Sequence, residues 1–509
     1  MRLSPKLTIL LPALLLGLLL LTLPISQSAV LMGRVVDEVG PIAGARVRLK
    51  GTSIVARTDA HGRFRLPAAV SGRRVTAWKE GYFICGSPLS FSPAIHLTPL
   101  PVEDNADYEW VDPAPNSAEI GNCANCHAEI YREWSRSGHA RSVNGRRFRN
   151  LYEGTDWHGK PDVGWGLLTQ YPDGAGVCTS CHAPAAPSFI PPQNEEGIGG
   201  DLRQVKGVAG RGVHCDYCHK IESVADGSIG LSHGRFNLRL LRPSEGQLFF
   251  GALDDVDRGE DAYSPLYRDS RYCASCHEGV VFGVHVYSTF SEWQASTAAR
   301  QGRQCQDCHM KPTGHMSNMA PGHGGIDRDP HTLANHRFFD GGQEAMLRRA
   351  VKGSAKLERL PDSVRARVRL WADGVGHRLP TGFVDRHLVL VVEGRTKQGQ
   401  PVLPREGPKL PALAGREVAG RPGRLYARVL HDFDGRSPVP FWLAAPDPPP
   451  DTRLIPGKVD ETIFEFPATL ARLQVRVLYR RFWPEVARAK HWPKDEILVR
   501  DQVFTLAAK

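Results

Sequence analysis

Beyond its first 29 residues this 509-residue chain has no apolar run long enough to span a bilayer. It carries no nucleotide-binding glycine loop and no Ser–His–Asp signature, which sets aside phosphate-cradling and serine-hydrolase readings. Its Lys and Arg are spread over the whole length, so the formal charge of +10 does not form the clustered footprint that nucleic-acid binding requires. No cysteine lies near the end of the apolar N-terminal run, which excludes a lipoprotein-type anchor. Only one cysteine, Cys85, stands outside a paired arrangement. With 41% hydrophobic and 23% charged residues, disorder is not the default.

The remaining ten cysteines are all in one pattern. Cys123-Ala-Asn-Cys126-His127, Cys178-Thr-Ser-Cys181-His182, Cys215-Asp-Tyr-Cys218-His219, Cys273-Ala-Ser-Cys276-His277 and Cys305-Gln-Asp-Cys308-His309 repeat one signature five times. Structural zinc also uses C-x-x-C, but needs its pairs in twos and gives no reason for a His after each. Cysteines this close seldom bridge outside redox motifs. C-x-x-C-H is the attachment motif of haem c: two thiols on one short turn add across the haem vinyls, and the next imidazole reaches the iron as proximal ligand. The cofactor expected is therefore five covalently bound haem c. Ten propionates would offset part of the positive charge, and the basic remainder suits an acidic redox partner or an anionic membrane.

In chain order, residues 1–29 read as a secretory signal, with Arg2 and Lys6 before the apolar Leu7–Leu23 and small residues at Ser26, Ser28 and Ala29. An uncleaved anchor, giving membrane association through this segment, is the alternative. Covalent haem c attachment in bacteria takes place outside the cytoplasm, so both signals point to export, to the periplasm or the cell surface. Residues 30–105 read as a small β module: Gly33–Asp37 and Ala45–Lys50 are strands, Thr58–Phe64 carries a turn, and Arg74–Trp78 is a further strand. Cys85 within it reads as a small buried hydrophobe. A Pro- and acid-rich linker (106–115) precedes a pentahaem domain (116–352) of short helices and long loops, with helices expected at 128–139, 291–300 and 343–352. Residues 353–509 turn β-rich, with strands at Val364–Leu370, His387–Val392, Arg424–Val429, Thr462–Phe466, Leu473–Tyr479 and Ile497–Arg500, and read as a C-terminal β-sandwich. The fold class expected is thus multidomain: an N-terminal β-sandwich, an irregular, mainly α/loop multihaem domain and a C-terminal β-sandwich.

Function turns on the sixth position of each iron. A second His makes a haem that only passes electrons, whereas an open position admits substrate. Among the 20 histidines the distal candidates are His139, His214, His233, His336 and His377, with His285, His315 and His331 in reserve. His158 and His323 read as solvent-exposed. Met310, Met316 and Met319, around the fifth motif, read as packing against a porphyrin rather than as ligands.

Two resemblances rest on these residues. Residues 30–105 resemble the carboxypeptidase regulatory-like, transthyretin-type β-sandwich, which implies a structural or binding appendage without catalytic residues. The five motifs, with Ile130–His139, Gly212–His219, Ser291-Glu-Trp293 before Cys305–Met310, and His336-Arg-Phe338, resemble the multihaem cytochromes c. That superfamily includes the nitrifiers' tetrahaem cytochrome, hydroxylamine oxidoreductase and the pentahaem nitrite reductases. The resemblance implies closely stacked, mostly bis-His haems. No C-x-x-C-K motif is present, unlike the nitrite reductases, and hydroxylamine oxidoreductase carries more haems than this chain can hold. The leading reading is therefore a non-catalytic electron carrier between a membrane quinol-side donor and a periplasmic or surface acceptor. The alternatives are a reductase or oxidase of a small nitrogen or sulfur compound at one open haem, and a haem-bearing scaffold of a surface complex.

Overall fold

A computed structural model describes residues 30–509, apart from 68–73, 91, 119–120, 173–175, 187–200, 226, 228, 339–342, 447–449 and 508–509. The secretory-signal reading of residues 1–29 lies outside the described residues. Packing divides the chain into two compact units, one running to Leu100 and including Leu253–Tyr263, the other comprising Pro101–Ala252 and Ser264–Lys509.

In the first unit the strand Val30–Val36 alternates exposed and buried residues, the period-two pattern of a strand with one wet face. It pairs antiparallel with Arg63–Pro67 and parallel with Ala94–His96. A second sheet runs Val55–Arg57, Arg46–Leu49, Arg74–Trp78, Cys85–Pro88, all antiparallel. Leu31, Val35, Phe64, Leu66 and Ile95 from the first sheet share one apolar cluster with Val47, Val75 and Ala77 from the second. Cys85 is half-buried against that cluster, its Sγ 3.8 Å from the Phe83 carbonyl oxygen.

Leu253–Tyr263 lies far along the sequence, inside the stretch read as the haem domain, yet it belongs to this first unit. Charge explains it. Asp254 takes Arg46 and Arg48 at 2.6 Å each, and Asp257 takes Lys50 at 2.5 Å and Arg74 at 2.7 Å. The Gly51 amide donates to Asp255, and Tyr263 meets Trp78 edge to face. The alternation of apolar and basic residues in Arg46–Leu49 therefore has a purpose: the basic set receives an acidic segment.

In the second unit the region that carries the five motifs is built from short helices; the longest, Ala128–Ser135, Arg146–Glu153 and Gln343–Ala350, have eight residues each. The expected helix at 128–139 stops at Ser135, where the Ser137 amide turns back to the Trp134 carbonyl. The one expected at 291–300 is two helices, Thr289–Gln294 and Thr297–Arg300. The break comes at Ser296, whose hydroxyl caps the second by accepting from the Ala299 amide.

The third expected helix ends at Ala350, and the chain passes straight into the strand Val351–Arg359. That strand has a weak apolar pattern (Gly353, Ser354, Lys356) and is held by pairing along its length with Ser363–Ala372, which pairs in turn with Val459–Pro467. A second sheet runs Pro401–Val402, His387–Arg395, Arg472–Arg480, Glu496–Thr505, with Gly423–Tyr426 also on His387–Arg395. The unbroken apolar run Leu388–Val392 is buried on both faces. Leu388, Leu390 and Val392 join a cluster with Val368, Phe464 and Val477, while Val389 and Val391 pack on Leu410 and Leu478. The sheets and the motif region form one compact unit, so the sequence boundary at 352/353 is not a packing boundary.

Candidate functional site

Each motif is a helical turn or two: Cys123–Cys126, Val177–His182, Cys215–Cys218, Arg271–His277 and Cys305–His309. Residues three and four apart on a helix share a face, so both thiols and the following imidazole of each motif are presented to one side. That is the geometry the attachment chemistry needs.

Three of the motif histidines hold one ring nitrogen against a backbone carbonyl. Nδ1 of His127 lies 2.9 Å from the Met319 carbonyl oxygen, that of His182 2.7 Å from Ser142 and that of His219 2.6 Å from Phe250. A carbonyl can only accept, so each Nδ1 carries the proton and each Nε2 keeps its lone pair for a metal. Desolvation holds the half-buried His182 and His219 below the ordinary imidazole range and pushes the half-buried His309 down to about 3. His182, His219 and His309 are thereby kept neutral at pH 7, the form that ligates.

Two of the distal candidates face a motif histidine across a gap of defined size. The His139 and His277 ring centroids are 6.3 Å apart at 72°, and those of His309 and His377 are 6.2 Å apart at 16°. Two metal–nitrogen bonds of about 2 Å, plus about 1 Å from each nitrogen to its ring centre, give about 6 Å between imidazoles on opposite sides of one iron. His377 Nδ1 lies 2.9 Å from the Arg378 carbonyl oxygen and so keeps its Nε2 lone pair. His139 is fixed through its backbone: its carbonyl accepts from the Val213 amide at 3.1 Å, and Gly212, at φ +81°, passes so close that a Cβ there would lie 2.4 Å from that same oxygen.

His336 is half-buried, and desolvation together with His219 and His127 pushes it down to about 3. Its amide donates to Glu133 at 2.8 Å, and Arg337 donates to the other oxygen of the same buried carboxylate. Phe338 packs edge-on against both His139 (4.4 Å) and His336 (5.9 Å), tying the two segments together.

The other candidates are placed differently. His214 caps the helix Cys215–Cys218, its Nδ1 accepting from the Tyr217 amide at 3.3 Å, and Trp110 packs against its ring. That polarity puts the proton on Nε2 and takes away the lone pair a ligand there would use. His233 is half-buried beside the second motif, where Gly234 meets the Ser180 carbonyl, and its Nδ1 has no hydrogen-bond partner among the described residues. His285 is paired with Glu278 at 2.5 Å. His315 and His331 are exposed, as are His158 and His323.

The motifs touch one another. Cys123 and Cys215 lie near enough to influence one another, lowering the first thiol and raising the second. Cys181 and Cys276 are related in the same way, as are Cys305 and Cys273. Tyr272, which directly precedes Cys273, donates to the Cys218 carbonyl at 3.0 Å, beside Tyr267, which donates to the same oxygen at 2.6 Å. Contacts therefore run from the first motif to the third, from the third to the fourth, and from the fourth to both the second and the fifth.

Three features were not read from the sequence. Lys220, directly after His219, is fully buried and paired with Asp216, over the rings of Tyr108 and Phe249. Arg386, adjacent in charge to both His277 and His377, donates to the Thr381 carbonyl at 3.1 Å and fills the space a Cβ on Gly382 (φ +87°) would occupy. His387 is buried against Trp483 (4.4 Å, 14°), with Nδ1 held by the Asp385 carbonyl. In each case the residue type is visible in the sequence but its partners are remote, so the sequence does not say where it points.

No family model matches the chain, and no curated protein matches it. Among solved structures it resembles a penta-haem cytochrome c552 from Thermochromatium tepidum, at 22% identity and a TM-score of 0.53, over 75% of this chain and 97% of that one. The two share a fold. A cohesin–X-dockerin complex from Acetivibrio cellulolyticus matches 13% of this chain and 51% of that one at 20% identity, with a TM-score of 0.12, too slight to argue from. Among the described residues no helix is long and apolar enough to cross a membrane.

Proposed function

We propose that this protein is an exported pentahaem c-type cytochrome that carries electrons. The observation that bears most weight is the spacing of the two imidazole pairs, 6.3 and 6.2 Å, each formed by a C-x-x-C-H histidine and one from elsewhere in the chain. The haem content of the solved relative supports the same reading.

Bound haem c supplies one-electron chemistry at iron. The chain's own residues do the rest. The ten paired cysteines would hold the groups covalently, and His127, His182, His219, His277 and His309 would ligate from the motif side. His139 would complete the fourth site and His377 the fifth. His336, beside His219 and His127, would serve one of that pair, and His233 remains the candidate beside the second motif. A second imidazole closes an iron to substrate, which favours a carrier over a reductase. The contacts between motifs suggest the order first–third–fourth, with branches from the fourth to the second and fifth.

The N-terminal unit fits a β-sandwich appendage, and the C-terminal sheets a second sandwich that lends His377. Redox partners on a membrane donor side and a periplasmic or surface acceptor side follow from this role.

Two measurements on protein matured in a host competent for haem c test the proposal. The denatured mass should exceed that of the processed chain by five haems, and a bare mass would end the reading. The resting ferric protein should show low-spin haems, and a strong high-spin signal would favour the reductase instead.

A further inference from the structure

The loop Gly376–Gly382, which presents His377, is gripped from both sides by one buried ion pair. Glu292, from the helix Thr289–Gln294, accepts from the Arg378 amide at 3.2 Å and from Thr381 Oγ1 at 2.8 Å through one oxygen. Its other oxygen accepts from Arg453 Nη2 at 2.7 Å and Ser288 Oγ at 2.7 Å. Arg453 in turn donates to the Pro380 carbonyl at 3.1 Å and is steadied by Asp451 at 2.8 Å. The Glu292 and Arg453 side chains are only 8% and 6% exposed. Leu379 and Leu454 exchange backbone hydrogen bonds at 2.9 and 3.0 Å, and Thr289 meets Thr381 at 3.0 Å. At the loop's start Gly376 lies so close to Ala298 and Trp293 that a Cβ would come within 3.1 and 3.2 Å of them.

The arrangement has a direction. Apart from the hydroxyl of Ser288, every donor to Glu292 belongs to the His377 loop or is the arginine that also holds it. Glu292 itself belongs to the segment leading into Cys305–His309. One carboxylate thus references the distal imidazole to the motif that supplies the proximal one. A buried pair is costly to assemble and costly to break by halves, so it suits fixing a geometry more than adding net stability.

We propose that Glu292 and Arg453 are positioning residues for His377, holding its ring in register over the fifth iron. The inference rests on the reading of His377 as that iron's distal ligand.

The test uses the matured holoprotein and carbon monoxide as the probe, since reduced haem binds it only where a sixth position is free. His377→Ala, Glu292→Ala and Arg453→Met are compared with the wild type for carbon monoxide bound per molecule and for the ferric spin state. Haem content and far-ultraviolet circular dichroism serve as controls. His377→Ala is expected to bind one carbon monoxide more than the wild type, and the other two variants to gain a substantial fraction of that one equivalent with all five haems retained. Glu292→Asp should restore part of the low-spin signal. If Glu292→Ala does not mature, the isosteric Glu292→Gln is read in its place. A low-spin, unreactive His377→Ala would overturn the ligand assignment itself. A reactive His377→Ala beside unreactive Glu292 and Arg453 variants would leave the ligand standing and overturn the positioning role.

Discussion

The rings of His309 and His377 lie nearly parallel, at 16° and 6.2 Å, while those of His139 and His277 are turned 72° to one another at nearly the same separation. Parallel imidazoles donate π density into one iron d orbital and lift its degeneracy with its partner. Crossed imidazoles donate into both and leave them close in energy. The two sites should therefore give different low-spin ferric signatures in electron paramagnetic resonance, a rhombic signal from the parallel pair and a single large-g feature from the crossed pair. His377→Ala should remove a rhombic component and His139→Ala a large-g component, each adding one high-spin haem. Spectra of one low-spin class, unchanged by either substitution, would contradict the pairing.

Arg386 places a fixed positive charge beside both His277 and His377. Its guanidinium donates to the Thr381 carbonyl, a neutral acceptor that does not cancel the charge. A positive charge near an iron opposes the ferric state and raises the reduction potential. Arg386→Gln should therefore lower the potentials at the fourth and fifth sites by tens of millivolts, where about 59 mV is a tenfold change for one electron. Spectropotentiometric titration of variant against wild type measures this; unchanged or raised potentials would rule the charge effect out.

The five C-x-x-C-H motifs are legible in the sequence because adjacent residues define them, and a single helical turn suffices to bring Cys123, Cys126 and His127 to one side. The C-terminal strands were legible for a similar local reason: Ser363–Ala372 and Arg472–Arg480 alternate residue by residue. Legibility failed where the decisive partner is remote. Val351–Arg359 is a strand by virtue of its pairing with Ser363–Ala372, not of its own pattern. His214 and His377 look alike in sequence, each an imidazole beside a glycine-rich turn. They separate only when Nδ1 is seen to accept from an amide in one and to face a carbonyl in the other. Leu253–Tyr263 joins the N-terminal unit through charges some 200 positions away, a relationship no local pattern carries.

That remote charge match is measurable. Asp257 is almost fully buried and receives both Lys50 and Arg74. Removing it leaves Lys50 half-desolvated without a counter-charge, and hydrogen bonds to charged groups are worth about 1.5–3 kcal/mol. Asp257→Ala should destabilise the N-terminal unit by about 2–3 kcal/mol while leaving the haem spectrum unchanged. Limited proteolysis at increasing denaturant, followed by mass analysis of the fragments, should show residues 30–100 cleaved earlier than in the wild type. Equal resistance in the two proteins would mean that the Asp257 ion pairs add no net stability and that the remaining contacts, Asp254 with Arg46 and Arg48 among them, hold Leu253–Tyr263.

Asp385 gives the protein a specific dependence on pH. Its carboxyl is buried, hydrogen-bonded by Trp483, with Oδ2 lacking a partner among the described residues. His387 donates to its backbone carbonyl rather than to its side chain, and the cation of Arg480 influences His387. Desolvation raises the Asp385 carboxyl to about 8. A group whose pKa is higher folded than unfolded binds its proton more tightly in the native state, so its contribution favours folding at low pH. That contribution is intact below the unfolded value near 4, falls by up to about 1.4 kcal/mol per pH unit as pH rises, and levels off above the folded value near 8. Asp385→Asn cannot ionise and should lose this slope. Denaturant midpoints compared between the two proteins should be similar near pH 4 and diverge steadily toward pH 8, with the variant the more stable. A constant difference across that range would show that Asp385 is ionised in the native protein, and would require a counter-charge that the contacts around Trp483 do not provide.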